Sequence, residues 1–283
     1  MHAPVRRLAI PPAPALAGLV RYFHLEWSSA GRVIVPASPS PMLTFFLAGG
    51  ALVDEPHGGV TVFDRPFVCG PMTQATPTTW LPGTTFISAL IEPAAFGRLF
   101  GHAPAALRNL PVPLDDLGLG SEGAALAEQL WYAAGPRDWL ALLSDWLLRR
   151  DAARVSRTAD FRLPQHLLYR PTAEIATALG IGVRQLERRY LASYGQTLRD
   201  GRRMQRYVRA LSQLILRPPR WGQLTRIAMD AGYHDQAHMS RDFMDFMGVS
   251  PASLIAPLQY EDDPLLRLVQ YQESSKRIVA GGA

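Results

Sequence analysis

The chain of 283 residues is long enough for two ordinary domains, each with its own core. Its composition, 48% hydrophobic and 19% charged, is that of a globular protein and excludes a disordered or fibrous chain. The single cysteine, Cys69, excludes an internal disulfide, a cysteine-built zinc site and a C-x-x-C redox pair, which fits a reducing cytoplasm.

The N-terminal stretch MHAPVRRLAIPPAPALAGLV places two arginines before apolar residues, as a signal peptide does. Its prolines, Pro11, Pro12 and Pro14, break the apolar helix that a signal peptide needs. No apolar run approaches the length that spans a membrane. We therefore expect a cytoplasmic protein with no membrane partner.

The positive charge is concentrated in one region. Residues 156–258 contain 15 arginines and 8 acidic residues, a net charge of +7, whereas residues 1–155 and 259–283 each carry −1. The excess is arginine alone, because the only lysine is Lys276. The planar guanidinium suits bidentate contacts with phosphate and guanine. A solvated basic face is the alternative, so charge alone does not decide for nucleic acid.

Residues 16–92 predict a small β-barrel or a β-sandwich. Segments rich in β-branched and aromatic residues alternate with turn sequences such as PASPSP, EPHGG and LPG. Many short strands at this spacing are typical of both architectures. The predicted strands are 32–36, 42–48, 60–63, 67–69 and 84–92.

From residue 93 the apolar spacing becomes helical. The segments PAAFGRLFG, SEGAALAEQLWYAA and DWLALLSDWLLRRD predict a helical extension over about 93–150, and RRDAARVSR is a predicted linker. The third segment has a broad apolar stripe that is either core against the β-domain or a dimer contact, and we favour core. The stripe comprises Trp139, Leu140, Leu143, Trp146 and Leu147.

Residues 156–258 contain an internal repeat. Both copies read I-A-x-x-x-G, a short turn, [LM]-x-R-x-[YF], and a glycine nine residues after the Leu or Met. The copies begin at Ile175 and Ile227, and the turn of the second is one residue longer. Each copy predicts a helix, a tight turn and a second helix, the helix-turn-helix arrangement whose second helix enters the DNA major groove.

In the first copy, Thr172 is the predicted cap of a helix that ends at Gly180. The next helix begins after Gly182 and buries Leu186 and Tyr190, which lie one turn apart. In the second copy, the predicted buried side chains are Leu224, Ile227, Ala228, Ala231, Met239, Phe243, Phe246 and Met247.

The second copy also contains HDQAH, which is similar to the H-E-x-x-H zinc motif. We instead interpret Asp235 as the N-cap of the second helix. His234 then lies outside that helix and shares no helical face with His238. Aspartate is also one methylene shorter than the glutamate that activates water in the zinc motif. We therefore expect neither a metal nor a cofactor.

Three segments carry a family resemblance. IAMDAGYHDQAHMSRDFMDFMGVSP resembles the signature of the AraC/XylS-type transcriptional regulators. GIGVRQLERRYLASYG is similar to the first helix-turn-helix unit of that family, and TLRDGRRMQRYVRALSQLI to the linker helix. The sequence departs at Gly182, where a Ser or Thr cap is usual, and at Leu198, where proline is frequent. The resemblance implies that residues 156–258 are an all-α domain with two such units, which bind a double-stranded DNA operator.

The resemblance places base-reading positions on both second helices, and the residue types suit guanine, adenine, cytosine and the thymine methyl. For each arginine the alternative is a phosphate contact or a surface ion pair, and Arg241 has Asp245 one turn away. The base-reading positions are Arg184, Glu187, Arg188, Gln236, Ala237, Ser240 and Arg241. Phosphate contacts, or otherwise solvated positions, are expected at Gln185, Arg189, Arg202, Arg203 and His238.

The resemblance also implies that residues 1–155 form a cupin-like β-barrel that binds a small-molecule effector, mediates homodimerisation, or both. The histidines lack the H-x-H spacing of a metal-binding cupin, so we expect no metal there. An apolar effector pocket is predicted, with ordinary core as the alternative. Its candidate residues are Phe45, Cys69, Trp80 and Phe86.

The sequence thus predicts a two-domain α+β protein with a C-terminal tail at 259–283. We expect a sequence-specific transcriptional regulator, with RNA polymerase as a further partner if it activates. The alternatives are an architectural DNA binder and a DNA-binding enzyme with unrecognised chemistry in the first domain. Residues 1–155 show no Ser/His/Asp, paired-carboxylate or metal constellation, which favours the regulator over the enzyme.

Overall fold

The computed structural model describes residues 6–54, 59–153, 161–217, 222–255, 271 and 273–280. They form an α+β fold, with strands and helices first and a helical region after them. The predicted fold class is confirmed, but the described strands form two sheets and no closed barrel. No helix within the described residues is long and apolar enough to span a membrane.

The strands include three predicted with their exact bounds, 42–48, 60–63 and 67–69. Two others differ from the predicted bounds by one residue at each end. TPTTW and PVP were missed because they are polar or contain proline. In chain order the strands are β1 (Arg6–Ile10), β2 (Val20–Trp27), β3 (Gly31–Val35), β4 (Met42–Ala48), β5 (Ala51–Asp54), β6 (Val60–Phe63), β7 (Phe67–Cys69), β8 (Thr76–Trp80), β9 (Thr85–Ile91) and β10 (Pro111–Pro113).

The two sheets differ in size. The larger has the order β1-β2-β9-β4-β7-β10 and the smaller β3-β8-β5-β6, and neighbouring strands are antiparallel. Side chains alternate between the two faces of a strand. On β2, Phe23 and Leu25 therefore enter the main apolar core, whereas Tyr22 and His24 lie on the opposite face, beside an internal cavity.

Three helices cover the core face of the larger sheet. They are α1 (Pro93–Phe100), α2 (Gly120–Tyr132) and α3 (Pro136–Ala153). The apolar stripe of α3 lies in the core: Leu143, Trp146 and Leu147 are buried there, and Trp139 and Leu140 pack against it. Burial against the sheet, rather than a dimer contact, therefore accounts for the stripe.

The helical region contains two small cores, one for each copy of the repeat. The first includes Leu186 and Tyr190, and the second Met239 and Phe243. The helices are α4 (Thr172–Ala178), α5 (Val183–Tyr194), α6 (Leu198–Leu216), α7 (Leu224–Ala231) and α8 (Gln236–Met247). Helix α6 joins the two units, and its buried side chains at Met204, Tyr207 and Leu214 belong to the second core.

Part of the C-terminal tail returns to the first domain. Helix α9 (Glu273–Val279) packs on β1, where Ser275 Oγ accepts the Ala9 N–H at 2.9 Å. Tyr271 is buried with Ala9 and Tyr22 in a small apolar cluster. The tail thus covers the outer edge of the larger sheet and satisfies a backbone donor there.

The sheets and the helical region are in direct contact. The Ala37 N–H donates to the Phe246 carbonyl at 2.7 Å, so a loop of the first domain is bonded to the end of α8. Helix α5 ends at Gly195, against the turn at Pro104. The C-terminal ends of both α5 and α8 therefore rest on the first domain.

Candidate nucleic-acid interface and internal cavity

The first helix-turn-helix unit has a turn that requires glycine. Helix α4 is followed by Gly180 with φ +63°, and Gly182 precedes α5 without a side-chain cap. Thr172 does not cap α4, contrary to the sequence prediction, because it is the first residue of the helix. Its hydroxyl instead accepts a hydrogen bond from Arg202 Nη2 at 3.3 Å.

The outer face of α5 carries the predicted base-reading side chains. Arg184, Glu187 and Arg188 are exposed, as is Arg189, whereas Gln185 is half-buried. Leu186 and Tyr190 hold the opposite face in the core. Among the described residues, Arg184, Glu187 and Arg188 make no side-chain hydrogen bond or ion pair. Their polar groups are therefore available to a partner.

The second unit begins its recognition helix with a side-chain cap. Asp235 Oδ1 accepts the His238 N–H at 2.6 Å, as predicted. This hydrogen bond, with a second from His234, holds the pKa of Asp235 below its ordinary value. His234 precedes the helix and its side chain is 90% exposed, so the two histidines do not form the one-turn ligand pair of a zinc motif.

The outer face of α8 differs from that of α5 in how its polar groups are held. Ala237 and Arg241 are exposed, and Gln236 and Ser240 are half-buried. Gln236 Oε1 accepts a hydrogen bond from Thr225 Oγ1 at 3.1 Å, which orients the amide from helix α7. A side chain held in this way is suited to base contact, because less freedom is lost on binding.

Arg203 binds two carboxylates of α8 rather than facing solvent. Its guanidinium pairs with Asp242, which is buried, and with Asp245, and it lies 4.7 Å from the centre of the Phe246 ring. Asp245 therefore pairs with Arg203, and Arg241 is exposed on the outer face. These contacts use donors that the predicted phosphate contact of Arg203 would need.

Arg202 has a comparable role in the first unit. Its Nε donates to the Leu168 carbonyl and its Nη2 to the Arg170 carbonyl, both at 2.7 Å. The side chain thus joins α6 to the segment before α4. His238, also predicted at phosphate, places its ring edge-on against Tyr233, with centroids 5.1 Å apart.

One protein family matches this region of the chain. A family described as helix-turn-helix domain matches residues 175–256, which include α5, the linker helix α6 and α8. Residues 175–256 are thus similar to the helix-turn-helix domains of AraC-type proteins. The predicted resemblance is confirmed over this part of the chain. No curated protein matches the sequence.

Solved structures similar to this chain include ToxT from Vibrio cholerae O395, at 12% identity and a TM-score of 0.45 over 91% of this chain and 98% of that one. A second ToxT structure, bound to (E)-4-(8-methylnaphthalen-1-yl)but-3-enoic acid, gives 12% and 0.47 over 90% and 98%. The AraC-like transcriptional activator CuxR gives 17% and 0.29 over 65% and 74%.

A cavity of about 950 Å³ lies between the sheets and the helix-turn-helix domain. Its walls include side chains of both sheets, such as Phe46 and Trp80. The linker helix α6 contributes Tyr207, Leu211 and Ile215, three residues of one face. A molecule in this cavity would therefore contact the first domain and the helix that joins the two DNA-binding units.

The predicted effector-pocket residues divide between the cavity and the main apolar core. Cys69, Trp80 and Phe86 line the cavity. Phe45 does not, because it lies on the core face, and the next residue, Phe46, takes the cavity position. Strict alternation along β4 was the signal that distinguishes these two phenylalanines.

Cys69 contributes an apolar surface rather than a reactive thiol. Burial raises the pKa of its thiol to about 12, so it is protonated at neutral pH. His24, Phe67 and Tyr271, all missed from the sequence, also line the cavity. Tyr271 gave no sequence signal, because only the return of the tail brings it there.

Proposed function

We propose that this protein is a sequence-specific transcriptional regulator that binds a double-stranded DNA operator through both helix-turn-helix units. The observation that carries the proposal is the pair of recognition helices whose buried faces are fixed in separate cores and whose outer faces are polar. Arginine and glutamine on those faces match guanine and adenine edges in the major groove.

The proposal extends to control by a small-molecule effector. Residues 1–155 are the sensor domain and 156–258 the DNA-binding domain. The cavity supports this division, because its wall combines both sheets with α6 of the helix-turn-helix domain. A ligand that binds one arrangement of these elements better than another shifts the population of DNA-competent molecules. The proposal includes a homodimer, and RNA polymerase as a partner of an activator.

The experiment is binding-site selection with the full chain, followed by anisotropy titrations at several salt concentrations. We expect one enriched motif, bound more tightly than an unrelated duplex. Affinity for both duplexes should fall as salt rises, because arginines release counterions from the phosphates. The double variant Arg184→Ala/Arg188→Ala should lose the motif preference, while Arg209→Ala, an exposed arginine of the linker helix, retains it.

Two outcomes would oppose the proposal. Binding without any enriched motif would favour the architectural DNA binder, because such proteins read the backbone rather than base edges. Absence of DNA binding at low salt would remove both interpretations. An effect of small molecules on operator affinity tests the sensor domain separately from the DNA-binding domain.

A further inference from the structure

One end of the cavity is built almost entirely from aromatic rings. Phe46 lies at the centre, with its ring 5.9 Å from Phe86, 6.1 Å from Phe67 and 6.4 Å from Trp80 between centroids. Its contacts with Phe86 and Trp80 are edge-to-face, and Trp80 lies 5.2 Å from Phe86. Ring faces and edges arranged in this way favour a further aromatic ring over a saturated one.

This aromatic end contains a buried hydrogen-bond donor without an acceptor. Trp80 is only 7% exposed, and its Nε1–H has no partner among the described residues. Buried donors are nearly always paired, so this N–H is suited to an acceptor on a bound molecule. A carbonyl, ether or hydroxyl oxygen on a bound molecule would satisfy it.

The neighbouring wall is polar. His24 stacks on Phe86, and its Nδ1 lies 3.2 Å from the Tyr271 hydroxyl. Its Nε2 lies 3.2 Å from Glu26 Oε2, and a carboxylate only accepts hydrogen bonds. In the neutral imidazole, Glu26 therefore fixes the proton on Nε2, and Nδ1 accepts from Tyr271.

The hydroxyl groups of this wall stay protonated at neutral pH. Burial raises the pKa of Tyr22 to about 12 and also raises the pKa of Tyr271, to which Tyr22 is hydrogen-bonded. Thr44 and Ser88 also line the cavity, with their hydroxyl oxygens 2.7 Å apart. Such a wall both donates and accepts hydrogen bonds.

Four charged side chains also line the cavity. Among the described lining residues they are Arg21, Asp54, Arg65 and Asp116, whose formal charges cancel. Asp54 and Arg65 are more than half exposed and pair with Arg32 and Asp115. Arg21 is half-buried and donates to Ser40. Burying an ion among the aromatic rings without a partner would be unfavourable.

We infer that the cavity binds an uncharged aromatic molecule that carries hydroxyl or carbonyl oxygens, with its ring among Phe46, Trp80 and Phe86. One oxygen accepts from Trp80 Nε1–H, and the molecule's polar group faces the His24–Tyr271 pair. The inference rests on the proposed effector control and gives its chemical class. It also makes the C-terminal tail, through Tyr271, part of the sensor.

The test is calorimetric titration of the full chain, without DNA, with four probes of one size. The probes are 4-hydroxybiphenyl, biphenyl, biphenyl-4-carboxylate and 4-cyclohexylcyclohexanol. We expect 4-hydroxybiphenyl to bind at least about tenfold more tightly than the carboxylate, which is ionised at neutral pH, and than the saturated alcohol.

Two conservative variants test the hydrogen bonds. Trp80→Phe and Tyr271→Phe should each weaken 4-hydroxybiphenyl by roughly three- to tenfold and leave biphenyl nearly unchanged. Unchanged biphenyl binding also shows that the cavity of the variant has kept its shape. Trp131→Phe, which changes an exposed tryptophan of α2, is the control and should alter neither probe.

Equal or tighter binding of the carboxylate would overturn the inference in favour of an anion site. Equal binding of the saturated alcohol would show that the rings act only as apolar surface. Absence of binding by every probe would also overturn it. Operator binding by the same preparation is measured in parallel. Failure of the ligand proposal can then be distinguished from failure of the DNA-binding proposal.

Discussion

Gly195 and Pro104 approach so closely that a Cβ on Gly195 would lie 2.9 Å from the Pro104 carbonyl carbon. Gly195 has φ +68° and ends α5, and Pro104 begins a turn of the first domain. Gly195 thus ends the first recognition helix. Because it has no side chain, it also leaves room for the Pro104 backbone against which that helix packs.

Gly195→Ala should therefore destabilise the protein by roughly 2–4 kcal/mol. About 1–2 kcal/mol is expected from a side chain in the left-handed region, and the remainder from displacing the Pro104 backbone. The control is Gly180→Ala, with φ +63° and open space around the Cβ, which should cost only the first part. Urea denaturation measures both. Equal losses would show that the contact at Pro104 yields freely.

Asp235 gives a pH-dependent prediction at the start of the second recognition helix. Its pKa in the folded protein is below the ordinary 3.8, mainly because the carboxylate accepts the His238 N–H. A lowered pKa stabilises the fold above pH 3.8, and this contribution is lost as the pH falls through the lowered value. Asp235→Asn keeps a capping oxygen but cannot titrate.

The melting temperature of Asp235→Asn should therefore fall less steeply than that of wild type below about pH 4. Asp230→Asn is the control, because Asp230 is an exposed carboxylate of α7 that caps no helix. Parallel acid titrations of wild type and Asp235→Asn would argue against a stabilising charge at this cap.

Arg203→Ala should destabilise the protein by roughly 2–4 kcal/mol, because it leaves the buried carboxylate of Asp242 without its counterion. The largest losses of stability that follow the breaking of a buried ion pair are not expected, since Arg203 is about one-third exposed. Arg203→Lys should recover only part of the loss, because an ammonium cannot span both Asp242 and Asp245.

Arg209→Ala, on an exposed position of the same helix, is the control and should change stability by no more than about 0.5 kcal/mol. Denaturation without DNA distinguishes a positioning role of Arg203 from its predicted phosphate contact. Unchanged stability together with a salt slope lowered by about one would assign Arg203 to a phosphate.

Arg188 lies on the exposed face of α5, two residues beyond the buried Leu186. If Arg188 contacts a guanine edge, Arg188→Ala should weaken the cognate operator by about 1–3 kcal/mol and relax the preference at one position. Arg189→Ala, an adjacent arginine predicted at phosphate, should instead weaken all sequences nearly equally.

Binding-site selection at fixed salt, with wild type and both variants, measures this difference. An unchanged preference at every position in Arg188→Ala would remove Arg188 from the base readers. The helix-turn-helix domain itself does not depend on that outcome, because its assignment rests on the apolar framework.

Local patterns were sufficient to predict the helices of residues 156–258. Gly180, Gly232 and Asp235 end or begin helices through their own backbone and side-chain chemistry, and neighbours one turn apart share a face. The bounds of β4 were likewise predicted from its own residues. The alternation of side chains along this strand places Phe46, and not Phe45, in the cavity. These features depend on residues close in sequence, so the sequence alone contains them.

Contacts between distant segments were decided only by the tertiary structure. Arg203, a predicted phosphate contact, pairs with Asp242, 39 residues later in the chain. Tyr271 reaches His24 across 247 positions and completes the polar wall of the cavity. No local periodicity encodes such pairs, because the partner is selected by how sheets, linker helix and tail pack together.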